Sequence, residues 1–123
     1  MHSSSRRIEI NHEELGEGHI LIVKGDIDLR SSPRLRDTIL EKDDDRTAGL
    51  LIDLSGVHYI DSSGLATLLE GKSRFDSRRA GYGLVGVQGH VLDVLIVAHL
   101  DGVFPIYESR EDGAEALGLR SVD

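Results

Sequence analysis

The chain has 123 residues, the length of one domain, and it carries 22 acidic residues against 14 Lys and Arg, for a net charge of −8. This excess of acid disfavours binding to nucleic acid, which depends on cation clusters that displace counterions, and adsorption to anionic lipid. The lack of cysteine excludes disulfides, thiol nucleophiles and thiolate metal sites, and an aromatic content of 4% without Trp disfavours recognition by stacking.

The two ends of the chain are predicted to lie outside the domain. Residues 1–7 are polar and aperiodic, so we expect a flexible N-terminal tail, a domain over residues 8–118 and a C-terminal tail of residues 119–123. No apolar segment follows the basic residues of the N-terminus as in a secretion signal, and no apolar run approaches the roughly 20 residues of a membrane span. We therefore expect a cytoplasmic protein without membrane insertion.

The domain is predicted to begin with an antiparallel β-hairpin. Apolar and polar residues alternate from Arg7 to Asn11, as in a half-buried strand. A β-branched run within His19–Gly25 indicates a more deeply buried strand, and Gly16-Glu17-Gly18 is a turn signal between the two.

A helix follows, and after it a polar connection. Ser31 or Ser32 is a plausible N-cap and Pro33 suits the first turn of a helix that runs from about residue 32 to 41. The acidic run Lys42–Arg46 lacks the alternating ligands and the distal Glu of a calcium loop, so we interpret it as a solvated linker.

The rest of the chain alternates strands with helices, which predicts an α/β domain. Leu50–Leu54 is a short apolar run that suits a central strand, parallel to the second through the helical crossover. A second helix begins at Asp61-Ser62 and ends before Gly81, with Gly71 as a weak point. The remaining predicted elements are a strand over Leu84–Val87, a helix over Val91–Leu100, an edge strand over Val103–Tyr107 interrupted by Pro105, and a helix over Glu111–Leu117.

Known catalytic and cofactor motifs are missing or misplaced. Gly81–Gly86 matches the string G-x-G-x-x-G, but it precedes a predicted strand instead of opening a helix, so it is interpreted as a turn. Neither Ser62 nor Ser63 has the flanking glycines of a hydrolase nucleophile, and no two histidines have the i, i+4 spacing of a zinc site. We expect no catalytic residue, no metal and no cofactor.

The segment Asp61-Ser62-Ser63-Gly64 stands between a predicted strand and a predicted helix. On propensity, a serine here caps the helix, its oxygen accepting a backbone N–H. The same N–H groups and the positive end of the helix dipole also accommodate a phosphate, so phosphorylation of Ser62 would not unfold the protein. The residues alone leave both roles open.

A second polar stretch, Gly25-Asp26-Ile27-Asp28, follows the second predicted strand. Asp at such a place also forms Asx turns, so a purely structural role stays open. Because two strand exits of a parallel sheet can lie side by side, we expect Asp28 to lie near Ser62.

The run Leu50–Ala66, with D-S-S-G-L at residues 61–65 and Gly25–Asp28 before it, closely resembles the STAS domain family. Within that family it resembles the single-domain anti-sigma factor antagonists of bacteria, over most of the chain. The resemblance implies one STAS-like α/β domain with a mixed, largely parallel sheet and an N-terminal β-hairpin.

The resemblance also implies a mechanism, partner switching. Ser62 would be phosphorylated by a partner that is both serine kinase and anti-sigma factor, and Asp28 would be the acidic residue held near it. The unphosphorylated chain would bind that partner and free a sigma factor, and phosphorylation would break the contact. Partner binding is then expected from the residues around Ser62: Asp26, Asp28, Asp61, Ser63 and Gly64.

On this reading the chain is a kinase substrate and not an enzyme, a monomer or weak dimer that does not contact nucleic acid. STAS domains also serve as stressosome scaffolds, transporter tails and lipid-transport accessories. The alternative is therefore a structural subunit of a larger assembly, in which Ser62 only caps a helix.

Overall fold

The computed structural model describes residues 7–119, and its five strands form one sheet in the order β1-β2-β3-β4-β5. Strands β1 and β2 are antiparallel, and the pairs β2–β3, β3–β4 and β4–β5 are parallel. The elements are β1 (Glu9–Leu15), β2 (Gly18–Lys24), α1 (Ser32–Glu41), β3 (Gly49–Gly56), α2 (Ser62–Ser77), β4 (Gly81–Val85), α3 (Gly89–Val97), β5 (Ile106–Tyr107) and α4 (Arg110–Leu117). The predicted α/β class, the N-terminal hairpin and the mixed sheet are confirmed.

The two faces of the sheet are covered by different helices. The crossover helices α1, α2 and α3 pack on one face, where the aliphatic core is centred. The opposite face has a smaller cluster of Ile20, Leu51 and Val85 under Tyr107 and Leu117. The largest fully buried side chains include Phe75, Ile20, Leu21, Ile27, Leu35, Ile39, Leu50, Leu51, Ile52, Leu54, Ile60 and Leu68.

Strands β1, β4 and β5 differ most from the predicted bounds, and β5 covers only Ile106–Tyr107 of the predicted Val103–Tyr107. Strand β1 continues to Leu15 because it pairs with β2 over its whole length, although most of its side chains are exposed and polar. Strand β4 begins at Gly81 and not at Leu84, because it pairs with β3 from Gly81 onward. Leu117 and the Tyr107 ring occupy the space that side chains at Gly81 and Gly83 would need. The G-x-G-x-x-G string therefore lies largely within a strand.

The structure places the C-terminal boundary of the domain one residue later than predicted, and it shows ion pairs in the acidic linker. Leu119, predicted to open the C-terminal tail, is buried, so the packed domain includes it. In the linker, Asp43 accepts a hydrogen bond of 2.7 Å from Nε of Arg78, at the end of α2, and Asp44 pairs with Arg46. These carboxylates bind cationic side chains of the same chain. Residues 1–6 and 120–123, most of the two predicted tails, lie outside the described residues.

Helix α2 is fixed against the sheet at Gly71. The hydroxyl of Tyr82 on β4 donates to the Leu68 carbonyl at 2.7 Å, and burial raises the pKa of this hydroxyl. A Cβ at residue 71 would lie 2.6 Å from the hydroxyl oxygen. The glycine that looked like a weak point in the sequence thus lets the helix pack against the Tyr82 side chain of β4, and this contact helps to position the helix whose first residue is Ser62.

Candidate functional site

The start of α2 is capped by Asp61. Its Oδ1 accepts hydrogen bonds from the backbone N–H groups of Ser63 (3.0 Å) and Gly64 (3.2 Å), and from the Ser63 hydroxyl at 2.5 Å. Of the two roles that the sequence leaves open for the serine, helix capping is therefore excluded, because the Asp61 carboxylate already accepts the N–H groups of Ser63 and Gly64. The same geometry removes Ser63 as the cap.

Ser62 is the first residue of α2 and its side chain is exposed. Within residues 7–119 its hydroxyl forms no hydrogen bond, whereas the neighbouring Ser63 hydroxyl is bound to Asp61. Of the two adjacent serines, Ser62 is the one whose oxygen is available to a second molecule.

The loop after β2 lies directly beside the start of α2. Ile27 and Ile60 form an isolated parallel bridge, in which the Ile27 N–H donates to the Tyr59 carbonyl (3.0 Å) and the Asp61 N–H donates to the Ile27 carbonyl (3.1 Å). Both isoleucines are buried. The bridge brings the segment with Asp26 and Asp28 alongside the segment with Asp61 and Ser62.

Asp28 holds the turn that leads into α1. Its Oδ1 accepts from the N–H groups of Arg30 (2.9 Å) and Ser31 (3.1 Å), as in an Asx turn. Ser31 occupies the N-cap position of α1, but its hydroxyl makes no capping bond and instead donates to the Asp26 carbonyl at 2.7 Å. The predicted N-cap position of Ser31 is thus confirmed, but its hydroxyl does not cap α1, and the turn-forming role of Asp28 is a finding of the structure.

Gly64 is buried beneath the junction of the two loops. A Cβ built on it would lie 2.6 Å from Cγ1 of Ile60 and 2.7 Å from Cγ2 of Ile27. Its role in this geometry is to let α2 approach the bridge. Asp26, Asp28 and Asp61 remain partly exposed around Ser62, and we call these three residues the acidic rim.

Two exposed apolar side chains that belong to none of the sequence motifs flank the acidic rim. Leu29 follows Asp28 in the turn, and its side chain is 76% exposed. Tyr59 directly precedes Ile60 of the bridge and is 43% exposed. The Tyr59 ring stacks on that of His90, with centroids 5.6 Å apart and planes 5° from parallel. An apolar residue inside a polar loop was the available signal for Leu29, whereas the Tyr59–His90 stack depends on tertiary structure.

The described part of the chain offers little else with a recognisable chemistry. Between residues 7 and 119, no cluster of three or more His, Asp or Glu side chains is arranged to hold a metal ion. No helix in that range combines the length and apolarity needed to cross a membrane.

Comparison with known proteins supports a single family. The family described as "Mlab, STAS domain" matches residues 10–107, well over half of the chain. Among curated proteins, none matches the sequence. An anti-sigma factor antagonist from Mycobacterium paratuberculosis has a similar structure, with a TM-score of 0.83 and 27% identity over 91% of this chain and 95% of that one.

More distant structures share the fold alone. The Bacillus cell fate determinant SpoIIAA in its phosphorylated form gives a TM-score of 0.70 at 14% identity, covering 88% of this chain and 98% of that one. The murine anion transporter Slc26a9 gives 0.71 at 18% identity, but the match covers 88% of this chain and only 19% of the transporter. The five-stranded sheet, the D-S-S-G junction at the start of α2 and the family match over residues 10–107 agree: the chain belongs to the STAS domain family, and its structure groups with those of anti-sigma factor antagonists.

Proposed function

We propose that this protein is an anti-sigma factor antagonist that works by phosphorylation-controlled partner switching. The unphosphorylated chain binds a protein that is both serine kinase and anti-sigma factor, and so releases a sigma factor. Phosphorylation of Ser62 by that kinase ends the binding. The chain is then the substrate and not the enzyme, and it acts in the cytoplasm.

The observation that carries this proposal is the environment of Ser62. Its hydroxyl is exposed at the first residue of α2 and makes no hydrogen bond within residues 7–119. The turn of Asp28 is fixed beside it by the backbone bridge between Ile27 and Ile60. A kinase can therefore reach the acceptor oxygen without unfolding the domain, and the modification changes the surface on which the kinase rests.

The relatives add support of a coarser kind. The mycobacterial structure with 27% identity is that of an anti-sigma factor antagonist, and SpoIIAA, similar in fold, is known in phosphorylated and unphosphorylated forms. The match to this protein covers 95% of the mycobacterial chain and 98% of the phosphorylated SpoIIAA chain, so domains of the same extent are compared.

The proposal is tested by identifying the kinase and its target atom. The chain is purified from its source cell with bound proteins, the co-purifying serine kinase is produced separately, and the phosphopeptides formed with ATP are mapped. We expect phosphate on Ser62, none in Ser62→Ala, and an unchanged level in Ser63→Ala, because the Ser63 hydroxyl is bound to Asp61. Phosphate mapped to Ser63, or modification that persists in Ser62→Ala, would refute the assignment.

A structural subunit of a larger assembly is the second candidate. The likeness to one fifth of a membrane transporter shows that this fold also occurs as one part of a much longer chain. This role no longer needs Ser62 as a cap, since Asp61 is the cap. A stable complex that is indifferent to Ser62→Asp and contains no kinase would favour it.

Asp28→Asn is expected to fold like the parent but to bind the kinase, or to accept phosphate, at least tenfold more weakly. The amide oxygen of Asn can still accept the N–H groups of Arg30 and Ser31, so the turn survives while the charge is lost. Binding is measured by calorimetry and phosphoryl transfer by initial rates. The exposed Asp112 of α4, changed to Asn, is the matched control. Parent-like binding and rates in Asp28→Asn would leave this residue with its turn-forming role alone.

A further inference from the structure

Helix α3 is apolar on nearly all of its sides. Its sequence from residue 91 to 97 is V-L-D-V-L-I-V, in which Asp93 is the only charged residue. Val91 and Leu95 are buried against the sheet, but Ile96 is exposed and Val97 is 79% exposed. A helix that is hydrophobic on all sides is normally buried on all sides by other parts of a protein. The apolar outer side of α3 is instead exposed to solvent.

The outer side of α3 forms a shallow groove of about 360 Å³. We call it the α3 groove, and it is lined by His90, Asp93, Val94, Val97 and Ala98. The spacing of these residues places them on one face of the helix. Most of the lining is aliphatic, with one carboxylate at its side.

The α3 groove is continuous with the Ser62 site. His90 at one end of the groove stacks on Tyr59, and Tyr59 is two residues before the Asp61 that caps α2. From His90 to Val97 the helix rises by about 10 Å. An exposed aromatic and aliphatic strip thus runs from the acidic rim, over the stacked rings, to the far end of α3.

We propose that the α3 groove is the apolar half of the kinase-binding surface and seats an aliphatic or aromatic side chain of the kinase/anti-sigma partner, with basic residues of that partner on the acidic rim. This inference rests on the proposed function and extends it by naming where the partner lies. It assigns Tyr59, His90 and Val97 to the interface, beyond the residues next to Ser62.

The usual size and composition of protein interfaces support the kinase as the molecule that covers the α3 groove. A standard interface covers about 800 Å² of each partner, a disc of roughly 16 Å radius, which is large enough to include both the acidic rim and the α3 groove. The centre of such an interface is depleted in charge and enriched in aromatic and aliphatic side chains. The acidic rim is charged and therefore unsuited to that centre, whereas the adjoining strip of aromatic and aliphatic side chains has the composition required. The exposed carboxylate of Asp93 in the groove and the net charge of −8 favour a partner with cationic groups, and the same charges disfavour anionic lipid.

The test compares matched substitutions on two exposed valines. Val97→Lys and Val97→Asp place either charge in the α3 groove, and Val103→Lys and Val103→Asp place the same charges at an exposed valine outside it. Dissociation constants are measured with the purified kinase that phosphorylates Ser62, by calorimetry, and melting curves verify folding. We expect both Val97 variants to bind at least tenfold more weakly than the parent, and both Val103 variants to bind within twofold of it.

The outcomes separate this inference from the proposed function. If Ser62→Asp abolishes binding but the Val97 variants bind like the parent, the α3 groove is not part of the interface and the proposed function stands. If sedimentation shows that the parent alone is a dimer that Val97→Lys dissociates, with kinase binding unchanged, a second copy is the occupant and the inference is wrong. If no kinase binds the parent, the proposed function fails and the inference with it.

Discussion

Ser62→Asp is expected to bind the kinase/anti-sigma partner at least a hundredfold more weakly than the parent, with a melting temperature within a few degrees of it. Ser62→Ala is expected to bind like the parent. A hundredfold loss corresponds to about 2.7 kcal/mol, and an unpaired charge that must be desolvated between like charges costs that much or more. The Ile27–Ile60 bridge holds the segment of Asp28 beside that of Asp61 and Ser62, so a carboxylate added at residue 62 joins an acidic surface when a partner closes over it.

The same carboxylate has little effect on the isolated domain. A negative charge at the first residue of a helix gains about 0.3 to 1 kcal/mol from the helix dipole. Repulsion by exposed neighbouring carboxylates has a similar size and the opposite sign. Because Asp61 already occupies the N–H groups of Ser63 and Gly64, the new side chain cannot add capping bonds there. The two small terms nearly cancel, and the side chain is exposed, so neither refolding nor unfolding is expected.

The matched control is Ser73→Asp. Ser73 is an exposed residue of the same helix, about three turns from Ser62, so the change in net charge is the same but the position is different. Binding constants, melting curves and backbone NMR spectra are compared for the parent and the Ser62 and Ser73 variants. A Ser62→Asp protein that is unfolded, or that binds as tightly as Ser62→Ala, would show that the switch does not depend on an electrostatic and steric block at this helix end.

The sequence was sufficient for the order and type of the elements, because periodicity and turn residues are local properties. Helix α1 begins and ends where the pattern predicts, at Ser32 and Glu41. The bounds of β1 and β4 were missed because tertiary pairing extends both strands: β1 pairs with β2 along its exposed polar residues, and β4 pairs with β3 from Gly81 onward. Neither cause is visible in a single strand.

The candidate site was predicted in outline and wrong in its capping. The pattern placed Ser62 at a strand-to-helix junction and Asp28 in a neighbouring loop, and the structure brings those loops together through the Ile27–Ile60 bridge. Propensity gives Ser and Asp nearly equal rank as N-caps, so adjacent residues of D-S-S could not be separated by sequence. The Tyr59–His90 stack joins residues 31 positions apart, and no local pattern signals such a contact.

Gly64→Ala is expected to destabilise the domain by about 1 to 3 kcal/mol, although alanine is the better helix former. In an exposed helix interior this change gains up to about 1 kcal/mol. Here the new Cβ would lie 2.6 and 2.7 Å from side-chain atoms of Ile60 and Ile27, which are 2% and 0% exposed and have no free space to move into. Overpacking of a dense core typically costs 1 to 3 kcal/mol, so the steric cost exceeds the gain in propensity.

Gly102→Ala is the control for Gly64→Ala, since a Cβ at residue 102 meets no atom within 4 Å. Melting curves should show Gly64→Ala several degrees below the parent and Gly102→Ala at or slightly above it.

The Gly64→Ala substitution is also expected to slow phosphorylation. Because Ile27 and Ile60 form the bridge between the two loops, steric strain from the new Cβ acts on the geometry that brings the segment of Asp28 beside that of Ser62. The rate of phosphorylation of Gly64→Ala, measured well below its melting temperature, should therefore be lower than that of the parent. A variant that melts like the parent and is phosphorylated at the same rate would mean that the bridge yields easily and that α2 is positioned from its other contacts, such as the one between Tyr82 and Gly71.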